Sequence, residues 1–335
     1  VVITVENVSK SFPSAESAVT ALRDVNLAVN AGSLFGIVGP AQAGKTTLAR
    51  CVALRERPDR GTVRYDGMDT SRLAGRRLWG AQRQVAIVDP VLRPERTVAG
   101  NIAAPLERMG VELDRRRSRV GVLLDVIGLS RSGARLPSEL TPGQQRRVAV
   151  ARALAGAPSV LLADEPTDGV AAEESASVLS VLDRARAELG ATVIVTSRDA
   201  DIARRICDEV ALLDRGSVVE SGTLLSLLGK PGSQLAEALL PSVDTPRAHL
   251  SSYDRAVDVV LVGFAAVGAL LPEASARFDV GFTTIGGGLT RLGDTPVARF
   301  RLGVEGQRAD AALAWIAERG AHVSTPMYGL RDVAA

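Results

Sequence analysis

The sequence predicts an α/β domain built on a mostly parallel sheet, followed by a smaller α+β domain. Three observations carry this prediction. A glycine-rich loop, Gly39-Pro40-Ala41-Gln42-Ala43-Gly44-Lys45-Thr46-Thr47, lies between an apolar run and a helical pattern. A second apolar run, residues 159–163, ends in two adjacent carboxylates, Asp164 and Glu165. Beyond residue 255, strand and helix patterns follow one another in the order βαββαβ.

The loop fits G-x-x-x-x-G-K-[ST], and its flanks fit too: residues 33–38 read as a buried strand and residues 47–54 as an amphipathic helix. Its glycines let backbone N–H groups turn inward around a phosphate, and the helix N-terminus adds its positive dipole end. Lys45 would reach the β and γ phosphates, and the Thr46 hydroxyl would ligate Mg²⁺. Taken alone, the pattern also describes a tight glycine turn without a ligand.

Residues 1–6 and 22–29 are strand-like, and residues 61–66 form a hairpin strand ending in the turn Asp66-Gly67. Phe12 follows the first strand, where an aromatic ring either stacks on a nucleobase or packs half-buried. Residues 85–88 read as a buried strand. Residues 89–94 hold two prolines and read as a loop, and residues 98–154 are helical in pattern. Arg115-Arg116-Arg117 is a phospholipid contact or, more simply, a solvated helix face. Thr141 and Gln144 form a T-x-x-Q capping box with Pro142 at the first helical position. The strand ending at Asp164 and Glu165 buries two carboxylates at cost unless a cation or a reaction uses them. Asp164 can hold Mg²⁺ through water, and Glu165 can polarise the attacking water. A last core strand, residues 191–196, precedes Ser197-Arg198-Asp199.

Composition sets outer bounds. A chain of 335 residues suggests two domains, and 46% apolar content permits full cores. A net charge of +2 gives no case for nucleic acid. Lysine occurs only at positions 10, 45 and 230 in an arginine-rich chain, so Lys45 stands out. Cys51 and Cys207 form no metal or redox spacing, which suits a reducing compartment. No signal-peptide pattern is visible at the start. The longest apolar run, residues 259–271, is too short to span a bilayer, so a membrane role is expected to run through a partner.

The loop, the capped helix ending in R-R-V-A-V-A-R-A-L, and L-L-A-D-E-P-T, in that order, resemble the ATPase subunit of ABC transporters across residues 1 to about 240. The resemblance implies an α/β P-loop NTPase fold with a helical subdomain at about 90–150, ATP and Mg²⁺ as ligands, and a dimer sandwiching two ATP molecules. Gly39, Pro40, Ala41, Gln42, Ala43, Gly44, Lys45, Thr46 and Thr47 would hold one nucleotide, with Phe12 beside it. Thr141, Pro142, Gly143 and Gln144 would act on the partner's ATP. Thr46 and Asp164 would hold Mg²⁺, and Glu165 would be catalytic. Residues 50–58 and 205–208 look like the branch that energises methionine import.

The C-terminal part points the same way. Residues 241–255 read as a linker. Residues 256–330 read as a ferredoxin-like fold of strand 258–262, helix 265–278, hairpin 281–289 and 297–304, helix 308–319 and strand 322–324. This order resembles the NIL domain of methionine-importer ATPases, which implies that methionine binds there and restrains transport. Strands 259–262 and 297–304 are expected to leave an edge for a twofold partner. Ile285-Gly286-Gly287-Gly288 would let a ligand or a second backbone approach, unless the glycines merely relieve packing. The alternative for this domain is a dimerisation module without a ligand. His249 and His322 read as ordinary surface or linker residues.

Four family positions depart from the usual pattern. The signature L-S-G-G-Q stands here as Leu140-Thr141-Pro142-Gly143-Gln144, and Pro142 lacks the N–H that would face the partner's γ-phosphate. Such a lost bond costs about 1.5–3 kcal/mol. Asp89 and Pro90 replace a glutamine loop, which looks shortened. Asp168-Gly169-Val170-Ala171 replaces S-A-L-D, and the switch histidine falls on Arg198, which cannot shuttle a proton near neutral pH.

The expected function is therefore an ATP-binding, slowly hydrolysing importer subunit for methionine or a related amino acid. It would sit at the cytoplasmic face of the membrane on permease subunits and, through them, a substrate-binding protein. Two alternatives remain at this point: a regulatory subunit paired with a typical ATPase, and a soluble sensor without a permease.

Overall fold

The computed structural model describes residues 3–13, 18–230, 232–243 and 253–326. His249 and most of the linker segment lie outside the described residues. The chain divides into two compact units, Val1–Gly222 and Thr223–Ala335.

In the first unit, β1 (Ile3–Phe12), β2 (Val19–Val29), β4 (Arg60–Tyr65) and β5 (Met68–Asp69) form an antiparallel sheet in the order β2-β1-β4-β5. The second sheet takes β3 (Leu34–Val38), β6 (Val85–Ile87), β7 (Val160–Asp164), β8 (Thr192–Ser197), β9 (Glu209–Asp214) and β10 (Ser217–Thr223) in the order β10-β9-β3-β8-β7-β6. Its pairs from β9 to β6 are all parallel. Strands covered on both faces read as continuous apolar runs rather than alternation, and β3 and β8 are buried at every residue. One core joins the two sheets: Ile3, Val5 and Val25 from the first meet Phe35, Ile37 and Leu162 from the second. Helix α1 (Lys45–Val52) runs between them, presenting Leu48, Ala49, Cys51 and Val52 inward. Burial pushes the Cys51 thiol up to about 12, so it stays a neutral packing group.

Helix α2 (Gly75–Arg83) precedes β6. Helices α3 (Val98–Arg108), α4 (Leu113–Val126) and α5 (Pro142–Leu154) make up the helical part, and α6 (Ala172–Leu189) and α7 (Ala200–Ile206) complete the unit. The expected proline-rich loop at 89–94 is a loop, and it is held firmly. Asn101, fully buried on α3, accepts from Arg93 N at 2.8 Å and donates to the carbonyls of Arg93, Arg96 and Thr97 at 3.0–3.1 Å. Arg152 on α5 donates to the Asp89 and Val91 carbonyls.

The division falls ahead of residue 240, where composition alone would place it. Helices α8 (Leu224–Leu228) and α9 (Gln234–Leu239) belong to the second unit. A charge pair explains the grouping: Glu237 on α9 takes both guanidinium nitrogens of Arg299, at 2.8 and 2.6 Å.

The second unit is ferredoxin-like. Strands β11 (Arg255–Val262), β12 (Gly281–Leu292), β13 (Thr295–Glu305) and β14 (His322–Ser324) form an antiparallel sheet in the order β12-β13-β11-β14. Helices α10 (Phe264–Val267), α11 (Leu270–Phe278) and α12 (Ala309–Glu318) supply Ala266, Ala274, Phe278, Leu313, Trp315 and Ile316 to the core with Val259, Leu261 and Leu302.

Two expectations need correction here. The single helix over 265–278 is two helices, and the break falls at Gly268, which is extended. Pro272 is the third residue of α11, where a missing N–H has no intrahelical acceptor to lose. The strands expected to leave a free edge are β11 and β13, which are central, and the edges are β12 and β14. The Gly286–Gly288 stretch does lie on edge strand β12, at a bulge that leaves Ile285 unpaired. Gly287 has φ +104°, and a Cβ there would collide with the Arg299 carbonyl, so backbone geometry requires this glycine.

Candidate nucleotide site

The loop following β3 closes the C-terminal end of that strand, where open α/β sheets bind their ligands. Gly39 and Gly44 have no room for a side chain: a Cβ would meet the Leu213 carbonyl at the first and the Ala21 carbonyl at the second. Gly44 also has φ +102° and serves as N-cap of α1 without a side-chain hydrogen bond, so no side chain of its own competes for the first N–H groups of the helix. Lys45 is only 7% exposed, and its ammonium donates to the Gly39 and Pro40 carbonyls at 2.7 and 2.9 Å. It lies 3.6 Å from Glu165 Oε1.

Strand β7 delivers the two carboxylates to the same place. Thr46 Oγ1 donates to Asp164 Oδ2 at 2.8 Å, joining groups 118 residues apart in the chain. Thr196 on β8 donates from Oγ1 to the other oxygen, Oδ1. Glu165 has φ +44°, a left-handed residue that turns its side chain towards the loop, and its N–H is tied to the Thr196 carbonyl at 3.1 Å. Arg198 follows β8: its N–H donates to Glu165 Oε2 at 3.3 Å, its Nε lies 3.6 Å from Oε1, and its Nη2 donates to Asp168 at 3.0 Å. The resulting cavity of about 380 Å³ is lined by Val19, Thr20 and Ala21 of β2, by residues 41–47, and by Glu165 and Arg198.

Phe12 is not among the lining residues. It faces Val19 across the β1–β2 pair, half-exposed, with the Lys10 ammonium 5.3 Å from its ring centroid. A hydrogen bond to Glu56 holds that ammonium above the ordinary lysine range.

The signature residues sit elsewhere, at the start of α5. Thr141 caps the helix by accepting from Gln144 N at 3.2 Å, and Gln144 returns the bond to Thr141 N at 3.1 Å. Pro142 is the first helical residue, as the capping pattern predicts. Arg146 on α5 donates to the Asp168 carbonyl at 2.7 Å, so the signature helix and Arg198 meet through one residue. Sequence reasoning did not single out Thr196, Arg152 or Glu174. Each acts through a contact distant in the chain, and no local spacing announces it.

Relatives place this arrangement. A family described as ABC transporter matches residues 22–168, and the NIL domain family matches residues 255–325. The methionine import ATP-binding protein MetN of Thermobifida fusca (strain YX) is 40% identical over 303 residues, spanning 90% of this chain and 92% of the relative. This chain belongs to the methionine import ATP-binding protein family. MetN of Streptomyces coelicolor is 37% identical over 332 residues, covering 96% of this chain and 93% of its own. Among solved structures, a dimeric ATP-binding cassette in a post-hydrolysis state bound to ADP and Pi aligns with TM-score 0.60 and 30% identity. It covers 66% of this chain and 98% of its own. The fold is that of an ABC ATPase cassette, and the protein is an ABC-type ATPase with a C-terminal NIL domain.

Proposed function

We propose that the protein is the ATP-hydrolysing subunit of an importer for methionine or a closely related amino acid, turning over slowly. The observation that carries this is the convergence of Lys45, Thr46 and Glu165 on one cavity, with Asp164 bonded to Thr46, in a chain whose second unit contains a NIL domain. Thr46 and Asp164 offer one hydroxyl and one carboxylate, the hard oxygen donors that Mg²⁺ takes when phosphates complete its shell. Bound there, Mg²⁺ would neutralise charge on the phosphates. Lys45 holds the β and γ phosphates, and Glu165 orients the attacking water and accepts its proton.

Two copies sandwich two ATP molecules, each copy's Thr141 and Gly143 facing the other's γ-phosphate. The departures from the family pattern slow this machine rather than stop it, because Glu165 is retained. Pro142 presents no N–H to the phosphate, and Arg198 gives a fixed positive charge where a histidine would exchange a proton. Replacing Pro142 by Gly and Arg198 by His together is expected to raise steady-state phosphate release at least roughly tenfold, the lower end of restoring one charge-assisted hydrogen bond. Flat turnover in that double variant would show that these positions are not what limits the enzyme.

Permease subunits at the membrane are the proposed partners, with the cassette peripheral on the cytoplasmic face. A groove of about 690 Å³ beside the 89–97 loop, lined by Leu92, Arg93, Pro105, Arg108 and Met109, supports this. Transporter ATPases of the family that this chain resembles meet their membrane partner through the corresponding region, and the same contact is proposed here. No helix among the described residues is long and apolar enough to cross a membrane.

The NIL domain is proposed to bind methionine and favour the separated arrangement of the cassettes. By linkage, ATP-driven closure then weakens methionine binding by the same factor by which methionine opposes closure. Calorimetric titration of methionine into the full chain, with and without Mg·ATP, tests both parts. A methionine signal that weakens with ATP is the expected result. Absence of binding would end the ligand assignment, and equal affinity in the two conditions would end the coupling.

A further inference from the structure

The signature turn is engaged by a carboxylate of its own chain. Glu174, in the first turn of α6, reaches across to the start of α5. Its Oε1 accepts from Thr141 Oγ1, and its Oε2 accepts from Gly143 N at 3.2 Å. These are the donors that the sandwich reading assigns to the γ-phosphate of the partner's ATP. The positive end of the α5 dipole favours a negative group at this point whatever its source. The fit is close: a Cβ added at Gly143 would lie 2.7 Å from Glu174 Cβ. The Glu174 backbone is fixed within α6, with its N–H on the Ala171 carbonyl at 3.0 Å and its carbonyl accepting from Ser177 Oγ at 2.7 Å. Release of the turn therefore needs only a rotation of the side chain.

We infer that Glu174 is an internal competitor for the signature turn, occupying the donors meant for the partner's γ-phosphate and setting a threshold for ATP-driven closure. The inference rests on the sandwich-dimer reading above. Two anions cannot share one hydroxyl and one N–H at close range, because their repulsion is weakly screened at a half-buried site. Closure therefore requires Glu174 to leave. Pro142 strengthens the competition, since the turn has no third donor there with which to hold a phosphate beside the carboxylate. Glu174 does not line the cavity over the P-loop, so it acts on closure and not on nucleotide binding by its own chain.

The test is sedimentation velocity on the full chain with saturating Mg·ATP, in a Glu165→Gln background so that nucleotide is not consumed. Glu174→Thr removes both the charge and the reach, whereas Glu174→Gln keeps the length and loses the charge. The protein concentration at which half the chains are dimeric should fall at least tenfold with Glu174→Thr and by a smaller factor with Glu174→Gln. ATP affinity of the dilute chain should stay within twofold. An unchanged or raised midpoint in both variants, with ATP binding intact, overturns the role of Glu174. If no chain dimerises while all bind ATP, the sandwich reading falls and this inference with it. The near-isosteric Glu174→Gln variant decides the matter if Glu174→Thr fails to fold.

Discussion

Lys45→Ala is expected to weaken ATP binding by roughly a hundredfold, the loss of two charge-assisted hydrogen bonds at about 1.5–3 kcal/mol each, tempered by solvent. Lys45 is buried, its ammonium is aimed by the Gly39 and Pro40 carbonyls, and Glu165 stands 3.6 Å away. Removing the cation does double harm. The phosphates lose their point charge, and Glu165 is left facing them without a neutralising neighbour on that side. Fluorescence titration of the full chain with an ATP analogue reads the effect directly. Unchanged affinity would remove the phosphate-site assignment.

Glu165→Gln has the second large effect, on rate rather than on binding. A positioned general base contributes about 10²- to 10⁴-fold, so residual hydrolysis should fall by at least roughly two orders of magnitude. The amide keeps an acceptor for the Arg198 N–H, so the left-handed turn at 165 and its tie to Thr196 need not change. With hydrolysis removed and the phosphate site intact, ATP-bound dimers should accumulate, visible as a nucleotide-dependent increase in sedimentation coefficient. A variant that hydrolyses at the parent rate would mean that another group activates water.

Much of this architecture was legible in the sequence because its causes are local. The glycine loop between β3 and α1, the capping box at Thr141, and the βαββαβ order each follow from spacing and residue type, and the structure has them. Where causes are not local, reading fails in recognisable ways. The pattern of β13 puts Arg299 and Arg301 on one face, which by periodicity alone is a solvent face. Both are nearly buried, because Arg301 pairs with Asp258 at 2.7 and 2.9 Å and Arg299 lies under Glu237 of α9. Alternation tells which residues share a face but not what covers it. Strand order is equally silent in local sequence, which is why the free edge was expected on central strands. Glu174 illustrates the same limit within the site: nothing near it in sequence signals that its carboxylate meets Thr141 and Gly143, 33 and 31 residues away.

The altered positions also read differently once they are placed in space. Asp168 and Arg198 replace a serine and a histidine of the family pattern, and they bond to each other at 3.0 Å. Arg198 also lies against Glu165, and Arg146 of the signature helix holds the Asp168 carbonyl. Asp168 and Arg198 thus form one connected cluster from Glu165 to α5. Replacing Arg198 alone is expected to leave Asp168 without its guanidinium partner.

If a working ATPase persists beneath these changes and drives import, hydrolysis must be measurable in the assembled complex. Steady-state phosphate release by the full chain, co-purified with its permease in detergent and compared with the same complex carrying Glu165→Gln, tests it most directly. Slow release that saturates with Mg·ATP, is lost in the Glu165→Gln complex and declines as methionine is added is the expected result. Release no greater than that of the Glu165→Gln complex at any ATP concentration would contradict it.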